Sequence, residues 1–252
     1  MDTPSSIILS RMMTASRDVD LIANNIANAT TPGYEASHLA SSAWIERMQG
    51  VTAPPGGDTL AYTAARGSWR DTRAGPIRET GNPLDMAITG QGYFQVRTAN
   101  GTRLTRDGRF QLLPNGTIAD GTGHPLLDTG GQPIVLPGNA GRPTIAADGT
   151  ISVRQPGGTN TVVAQIGVVN VANEQALRPL GNNLFAPATK PTAVTAPKIV
   201  QGALEGSNVQ PVTEVTQMMQ ASRMFEMLAQ FETAEHSRSQ AAIQQLLGPT
   251  NS

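Results

Sequence analysis

Apolar side chains recur at alternating intervals of four and three residues along the first 30 positions of the chain. This spacing is that of the a and d positions of a coiled coil and places the side chains on one narrow face of an α-helix. The pattern predicts an N-terminal helix that begins near Thr3 and Pro4 and ends at Thr30-Thr31-Pro32-Gly33, because the residue before a proline is disfavoured in helix. The apolar positions are Ile8, Met12, Ala15, Val19, Ile22, Ile26 and Ala29.

A wider and less regular apolar stripe predicts a second long helix near the other end of the chain. Asn208 is the predicted N-cap, Pro211 fits the first turn, and Gly248-Pro249 is a stop signal. Two terminal helices alone bury too little surface to be stable, so we expect self-assembly to cover the apolar surface that remains. The stripe runs through Met218, Ala221, Met224, Phe225, Leu228, Phe231, Ala234, Ala241 and Ala242.

Between the helices, from about 81 to 200, the pattern changes to alternation with a period of two. Asn-Gly and Asp-Gly pairs, which favour hairpin turns, recur at short intervals and indicate an antiparallel meander or a small barrel. Residues 186–198 are predicted to be an extended exit segment. The predicted strands are 92–97, 103–106, 109–113, 150–153 and 161–171, and the predicted turns are Asn100-Gly101, Asp107-Gly108, Asn115-Gly116, Asp120-Gly121 and Asp148-Gly149.

Residues 35–80 form a transitional region with a weak pattern. Trp44, Ile45 and Met48 fit a short helix, and the Pro- and Gly-rich residues 50–60 predict an extended break. The arginines at 66, 70, 73 and 78 are interpreted as a solvated face, with a contact to an acidic neighbouring chain as the alternative.

The predicted fold class is α+β: long N- and C-terminal helices packed in a coiled-coil-like layer, with an inserted, mainly antiparallel β domain. The predicted domains are a helix in 1–34, a linker in 35–80, the β domain in 81–200 and a second helical segment in 201–252.

Composition narrows the possible functions. The 252 residues have a formal net charge of −1, so charge gives no argument for binding nucleic acid or an anionic membrane. Cysteine is absent, which excludes disulfides and thiolate chemistry. No apolar run reaches the ~20 residues of a membrane helix, and the N-terminus does not resemble a Sec-type signal peptide.

Motifs for catalysis or for cofactor binding are not found in the sequence. His38, His124 and His236 are far apart and lack metal-ligand spacing, while Asp120 and Asp148 are explained by their turns. The glycines of residues 90–94 precede a strand and not a helix, so they do not form a phosphate loop. We therefore expect no enzyme activity, cofactor or metal.

Four stretches resemble the flagellar axial proteins, which are the rod, hook and hook-associated proteins of bacteria. They are LIANNIANATTPGYEA (21–36), TGNPLDMAITGQGYFQV (80–96), RLTRDGRFQLLPNGTIADGTGHPLL (103–127) and GALEGSNVQPVTEVTQMMQASRMFEM (202–227). They occur in the family's order and together span nearly the whole chain. Length and the form of the last stretch favour the proximal-rod branch, with the distal-rod branch as the alternative.

The resemblance implies a structural subunit of the flagellar rod, the drive shaft that crosses the periplasm. It also implies export by the flagellar type III apparatus without a cleaved signal peptide, terminal helices in an inner tube (the D0 layer) and a β domain outside it. The implied partners are the distal and inner rod proteins and the ring proteins, with no nucleic acid and no membrane insertion. A different class, a periplasmic peptidoglycan-binding or hydrolysing module, has only the Asp- and Asn-rich turns in its favour.

The helical patterns and the resemblance together mark candidate residues of the subunit interface. They are Ile8, Met12, Val19, Ile22, Asn24, Asn25, Ile26, Asn28, Pro32, Gly33, Tyr34, Asn208, Met218, Phe225, Leu228 and Phe231.

Three of these candidates, Asn24, Asn25 and Asn28, are poor helix formers placed off the apolar seam. They are expected to form one polar face. That face is either a solvated helix end or a surface that meets a second neighbour through amide hydrogen bonds. In the second case, Asn25→Leu leaves the free subunit intact and impairs assembly.

Overall fold

The computed structural model describes residues 3–47, 59–138, 141–155 and 158–247. These residues form two compact units. The helical unit contains helix α1 (Thr3–Ala27), strands β1 (Ser37–Arg47) and β2 (Thr59–Arg70), and helix α2 (Pro211–Leu247). The β unit contains the described residues of 28–36 and 71–209.

Both predicted terminal helices are present, and α1 packs along α2. Helix α1 ends at Ala27, three residues before the predicted stop signal, because residues 28–33 form turns. The predicted seam is the more buried face of α1: Ile22 is buried, while Leu9 and Met13 are exposed. Helix α1 contacts β1 and β2 as well as α2 within the helical unit.

The start of α2 corrects one prediction. Because the first helical residue is Pro211, the N-cap position falls on Gln210, whose carbonyl accepts a hydrogen bond from the Glu214 N–H at 3.0 Å. Asn208 lies outside the helix and is not its cap.

The transitional region contains a long β-ribbon where the sequence suggested a linker with a short helix. Strands β1 and β2 pair antiparallel from Ser37 opposite Arg70 to Arg47 opposite Thr59, with one register irregularity after Ala40. Trp44 and Ile45 belong to β1, so the helix predicted for them is wrong. Their backbone hydrogen bonds are made to a distant strand, which a local helical pattern does not reveal. Met48 and most of the break predicted at 50–60 lie outside the described residues.

The β unit consists of short strands, paired antiparallel as predicted, and one 3₁₀ turn (Glu174–Ala176). In the described part of the chain the strands form open sheets and no closed barrel. The strands are β3 (Ile77–Glu79), β4 (Met86–Ile88), β5 (Tyr93–Thr98), β6 (Gly101–Thr105), β7 (Phe110–Leu112), β8 (Ile118–Asp120), β9 (Pro143–Ile145), β10 (Thr150–Arg154), β11 (Asn160–Gln165), β12 (Val168–Asn170), β13 (Arg178–Pro179), β14 (Leu184–Ala186), β15 (Thr192–Ala193), β16 (Ile199–Gln201) and β17 (Ala203–Glu205).

The largest sheet has six strands in the order β13-β14-β6-β5-β12-β15. A three-stranded sheet, β11-β10-β9, and the pairs β16-β4, β17-β3 and β7-β8 complete the unit. Phe94 and Phe110 meet edge to face at a centroid distance of 5.4 Å in the main core, which is otherwise aliphatic. Tyr93 and Phe185 belong to a second, smaller core cluster.

Two of the turn and strand predictions need correction. Asp107-Gly108 does not form a hairpin, because β6 pairs with β5 and β14 while β7 pairs with β8. Gly108 instead allows a close approach, since a Cβ atom there would come 1.6 Å from the Met86 carbonyl oxygen. The strand predicted at 161–171 is two strands, β11 and β12, because the strand pairing is interrupted between them: Ile166 forms an isolated bridge with Asp128, and the Gly167 N–H donates a 3.0 Å hydrogen bond to the Leu127 carbonyl. The hairpin at Asn100-Gly101 joins β5 to β6 as predicted.

Candidate functional site

The asparagines at the end of α1 do not form one polar face. Asn25 is fully buried within the helical unit, whereas Asn24 is exposed and donates to the Asp20 carbonyl at 2.9 Å. Asn28 belongs to the turn that follows, where its Oδ1 accepts a 3.2 Å hydrogen bond from Thr31 Oγ1. Residues 24 and 25 point about 100° apart on a helix of 3.6 residues per turn, which separates their environments.

The Asn25 amide joins three elements of the helical unit. Its Oδ1 accepts from the Ser37 N–H at 2.9 Å, and its Nδ2 donates to the Ser37 carbonyl at 2.9 Å. The side chain therefore pairs with the first residue of β1 as a neighbouring strand would. Nδ2 also donates to Glu214 Oε2 at 3.2 Å in the first turn of α2, where Glu214 is itself buried. These bonds lie inside the chain, so a role of Asn25 in assembly stays a prediction and would act through this network.

The helical unit also carries an open groove of about 620 Å³ between its elements. Ala15 of α1, Leu39 of β1 and Ala221, Met224 and Leu228 of α2 provide its apolar lining. Polar and charged side chains line the rest of it: Arg11, Thr14, Asp18, His38, Gln217 and Gln220.

A further set of apolar side chains on α2 is exposed. We call Val212, Val215, Met219 and Met227 the outer stripe; they are 82%, 47%, 53% and 54% exposed. The first three are spaced by three and four residues, as the neighbours on one helix face are. Among the predicted interface residues, Phe231 is also exposed, at 65%, while Met218 and Leu228 are half-buried. Helix α2 thus has apolar side chains both against α1 and towards solvent.

In the β unit, the turn after Asn28 is held tightly. We call residues 31–36 the signature loop. Gly33 has a φ of 65°, donates a 2.8 Å hydrogen bond to the Glu205 carbonyl, and leaves no room for a Cβ atom, which would lie 2.4 Å from the Arg106 carbonyl carbon. The Pro32 carbonyl accepts a 2.7 Å hydrogen bond from Asn183 Nδ2. Pro32 and Gly33 therefore have structural roles in this loop through contacts within one chain.

Buried charged groups surround the signature loop. Tyr93 donates a 2.9 Å hydrogen bond to Glu35 Oε1, and burial raises the pKa of its hydroxyl, with the Glu35 carboxylate raising it further. The Arg106 guanidinium lies 5.1 Å from the Tyr93 ring centre and pairs with Glu205 at 3.1 Å. Glu205 also accepts from the Gly75 N–H at 3.1 Å. A buried network of this kind favours one conformation of the loop, because breaking one contact leaves a buried polar or charged group without its partner.

The residues considered for catalysis have structural partners. The His38 and Trp69 rings lie with their centres 4.9 Å apart and their planes tilted by 37°, and His236 Nε2 lies 3.2 Å from Gln240 Nε2. His124 and Asp120 share a turn in which Asp120 Oδ1 accepts from the His124 N–H at 2.8 Å. Burial raises the pKa of the Asp120 carboxyl, but the hydrogen bonds from His124 and Thr122 outweigh it and hold the pKa below its ordinary value.

Two features absent from the described residues bear on other functions. No group of three or more His, Cys, Asp or Glu side chains in that part of the chain is arranged to hold a metal ion. No helix there has both the length and the apolar character that crossing a membrane requires.

Comparison with known proteins gives three family matches along the chain. Residues 7–34 match the flagella basal body rod protein family, residues 87–153 the flagellar hook protein FlgE/F/G D1 domain, and residues 200–245 the flagellar basal body rod FlgEFG protein C-terminal family. The matches fall on α1 with the signature loop, on the β unit, and on β16 to α2.

Similar whole proteins come from several bacteria. The flagellar basal-body rod protein FlgF of Caulobacter vibrioides is 37% identical over 95% of this chain and 96% of its own length. FlgF of Mesorhizobium japonicum is 35% identical over 95% of this chain and 96% of its own length. The rod protein FlgG of Agrobacterium fabrum is 34% identical over 83% of this chain and 86% of its own length.

A helix at each end of the chain, a β unit inserted between them in the sequence, and apolar side chains exposed on α2 are the features of a structural assembly protein. The chain belongs to the flagellar basal-body rod protein family, in its FlgF group. It is a structural subunit of the flagellar basal body, where it assembles with other rod subunits.

Proposed function

We propose that this chain is a subunit of the proximal part of the rod and that it polymerises into a shaft that transmits torque across the periplasm. The observation that carries the proposal is the outer stripe, four apolar side chains of α2 that remain exposed in the single chain. Contiguous exposed apolar surface marks a surface that another protein covers.

The groove of the helical unit offers a complement to that stripe. It is lined by Ala15, Ala221, Met224 and Leu228 and lies open on the same unit. A stripe that docks in the groove of the next copy uses two different surfaces, so the contact is heterologous and generates an open helical assembly. Such an assembly grows along one axis, as a shaft must.

The proposed partners are further copies of this chain and the other rod subunits, above all the distal rod protein and the inner rod proteins. Ring proteins are proposed to surround the shaft. Export by the flagellar type III apparatus, without a cleaved signal peptide, would bring the subunit to the periplasm. The peptidoglycan-binding alternative gains no specific support, because the Asp- and Asn-rich turns bond within the chain.

The test is a strain whose copy of this gene is deleted, complemented by the same gene with an epitope tag in a position that preserves swimming. We expect the deletion to stop rod assembly before the distal rod and hook are added, and the tag to be found between the inner and distal rod in cryo-EM maps of isolated basal bodies. Hooks built without this chain, or a tag that maps to the distal rod, would contradict the proposal.

A further inference from the structure

Asn208 makes more side-chain contacts to backbone than its place in a short connection suggests. It lies between β17 and α2, where its Oδ1 accepts a hydrogen bond from the Ala36 N–H at 2.8 Å. Its Nδ2 donates to the carbonyl oxygens of Asp71 at 2.7 Å and Arg73 at 2.9 Å. One amide therefore satisfies three backbone groups, which come from two segments distant in sequence.

Backbone hydrogen bonds join the same segments. The Asp71 N–H donates to the Ala36 carbonyl at 2.8 Å, and the Asn208 N–H donates to the Tyr34 carbonyl at 3.3 Å. We call Ala36, Asp71, Arg73 and Asn208 the clasp; all four belong to the β unit.

The clasp residues lie next to the points where the chain passes from one unit to the other. The chain passes between the two units four times, after residues 27, 36, 70 and 209. Ala36 is the last residue of the β unit before one crossing, and Asp71 is the first residue after the next. Asn208 stands two residues before Gln210, which begins the last segment of the helical unit. At three of the four crossings, the residues on the β-unit side of the crossing are therefore hydrogen-bonded to one another.

We propose that Asn208 is a positioning residue that fastens these three crossings together, so that a force carried along the chain leaves the β unit through one bonded cluster. Without the side-chain bonds of Asn208, the backbone hydrogen bonds from Asp71 to Ala36 and from Asn208 to Tyr34 would be left to join these segments, and the same force would separate them more easily. This inference rests on the proposed torque-bearing function and adds to it the residue that holds the β-unit ends of these three crossings together.

The chemistry of the side chain explains why asparagine is required. The clasp needs one acceptor for an N–H and two donors for carbonyl groups, which a carboxamide supplies and a carboxylate does not. Asn208→Asp keeps the acceptor for Ala36 but turns an oxygen towards the two carbonyls. Asn208→Ala removes all three contacts. The two variants therefore separate the bond to Ala36 from the bonds to Asp71 and Arg73.

Amide hydrogen exchange on the full-length protein tests the clasp itself. In Asn208→Ala we expect exchange to become at least about tenfold faster at Ala36 and also at Asp71, whose N–H does not bond to Asn208. In Asn208→Asp, Asp71 is expected to speed up more than Ala36. The control is Asn173→Ala, which removes another amide contact of the β unit, a 3.0 Å bond from the Gln175 N–H. Faster exchange at Ala36 alone would overturn the inference, because it would show that only the bond from Ala36 to Asn208 was lost and that the segments are not held together by Asn208.

Swimming under load tests the mechanical role. Strains carrying the same variants are compared in ordinary medium and in medium thickened with Ficoll, and their basal bodies are counted by electron microscopy. We expect Asn208→Ala to assemble basal bodies but to lose swimming speed steeply at high viscosity, while Asn173→Ala matches the parent. If the alanine variant assembles no basal bodies, Asn208→Asp is measured in its place.

The outcomes separate this inference from the proposed function. If the gene deletion stops swimming but the Asn208 variants follow the parent at every viscosity, the clasp has no mechanical role and only this inference fails. If the deletion strain itself swims normally, the proposed function fails first.

Discussion

Gly33 shows at the scale of one residue how the signature loop depends on backbone geometry. Its φ of 65° lies in the left-handed region, and a Cβ atom there would collide with the backbone of Arg106 at 2.4 Å. Gly81 has a similar φ of 74° but has nothing within 4 Å of such an atom. Comparing substitutions at the two glycines therefore separates the free-energy cost of a left-handed backbone from the cost of a collision.

We expect Gly33→Ala to destabilise the β unit clearly more than Gly81→Ala. The control variant should lose about 1–2 kcal/mol from the left-handed backbone alone. At Gly33 the backbone of Arg106 must also move, which disturbs its ion pair with Glu205. Thermal unfolding followed by circular dichroism checks this. Equal midpoints for the two variants would show that the collision with Arg106 adds no cost beyond the left-handed backbone strain that both share.

At the scale of elements, the helices and hairpins that a short stretch of sequence specifies could be predicted. The terminal helices follow from an apolar periodicity and the β5–β6 hairpin from Asn100-Gly101, both of which act within a few residues. The ribbon of β1 and β2 was missed because its hydrogen bonds join residues far apart in the chain and its pattern of small and polar residues is weak. Asp107-Gly108 was misread as a hairpin because a glycine required for close approach carries the same sequence signal as a turn glycine.

Asn25 links three elements, so its substitution is expected to act on the helical unit as a whole. Asn25→Leu leaves the N–H and carbonyl of Ser37 and the carboxylate of Glu214 without the bonds that it makes. Each buried polar group left unsatisfied costs about 1–3 kcal/mol. We expect a marked loss of helical circular dichroism or a lower midpoint in a thermal scan of the purified subunit.

The control for this variant is Asn24→Ala, since Asn24 is the adjacent exposed amide. Its effect is expected to stay within about 0.5 kcal/mol, as for other surface positions. A leucine variant that unfolds like the parent and fails only in assembly would restore the hypothesis drawn from sequence, that Asn25 faces a neighbouring subunit.

At the scale of the whole molecule, the family and its structural role were predicted from sequence, and the contacts of the candidate residues were not. Pro32 and Gly33 were marked as interface residues, yet their described contacts lie within the β unit. A short motif shows which residues matter to a family but not whether they bond inside one chain or between chains. Their roles between subunits, like those of the seam residues, stay predictions.

The outer stripe gives the sharpest test of assembly by this chain. Met219 is 53% exposed, so we expect Met219→Glu to leave the fold of the free subunit unchanged, within about 0.5 kcal/mol. In the shaft, a carboxylate would be buried against the apolar side chains of a neighbour, and burying an unpaired charge is costly. The variant should therefore give few complete basal bodies and non-spreading colonies in soft agar. Met219→Leu keeps an apolar side chain of similar volume and should spread like the parent. Normal spreading by the glutamate variant would show that Met219 faces solvent in the rod, and the proposed contact through the outer stripe would be wrong.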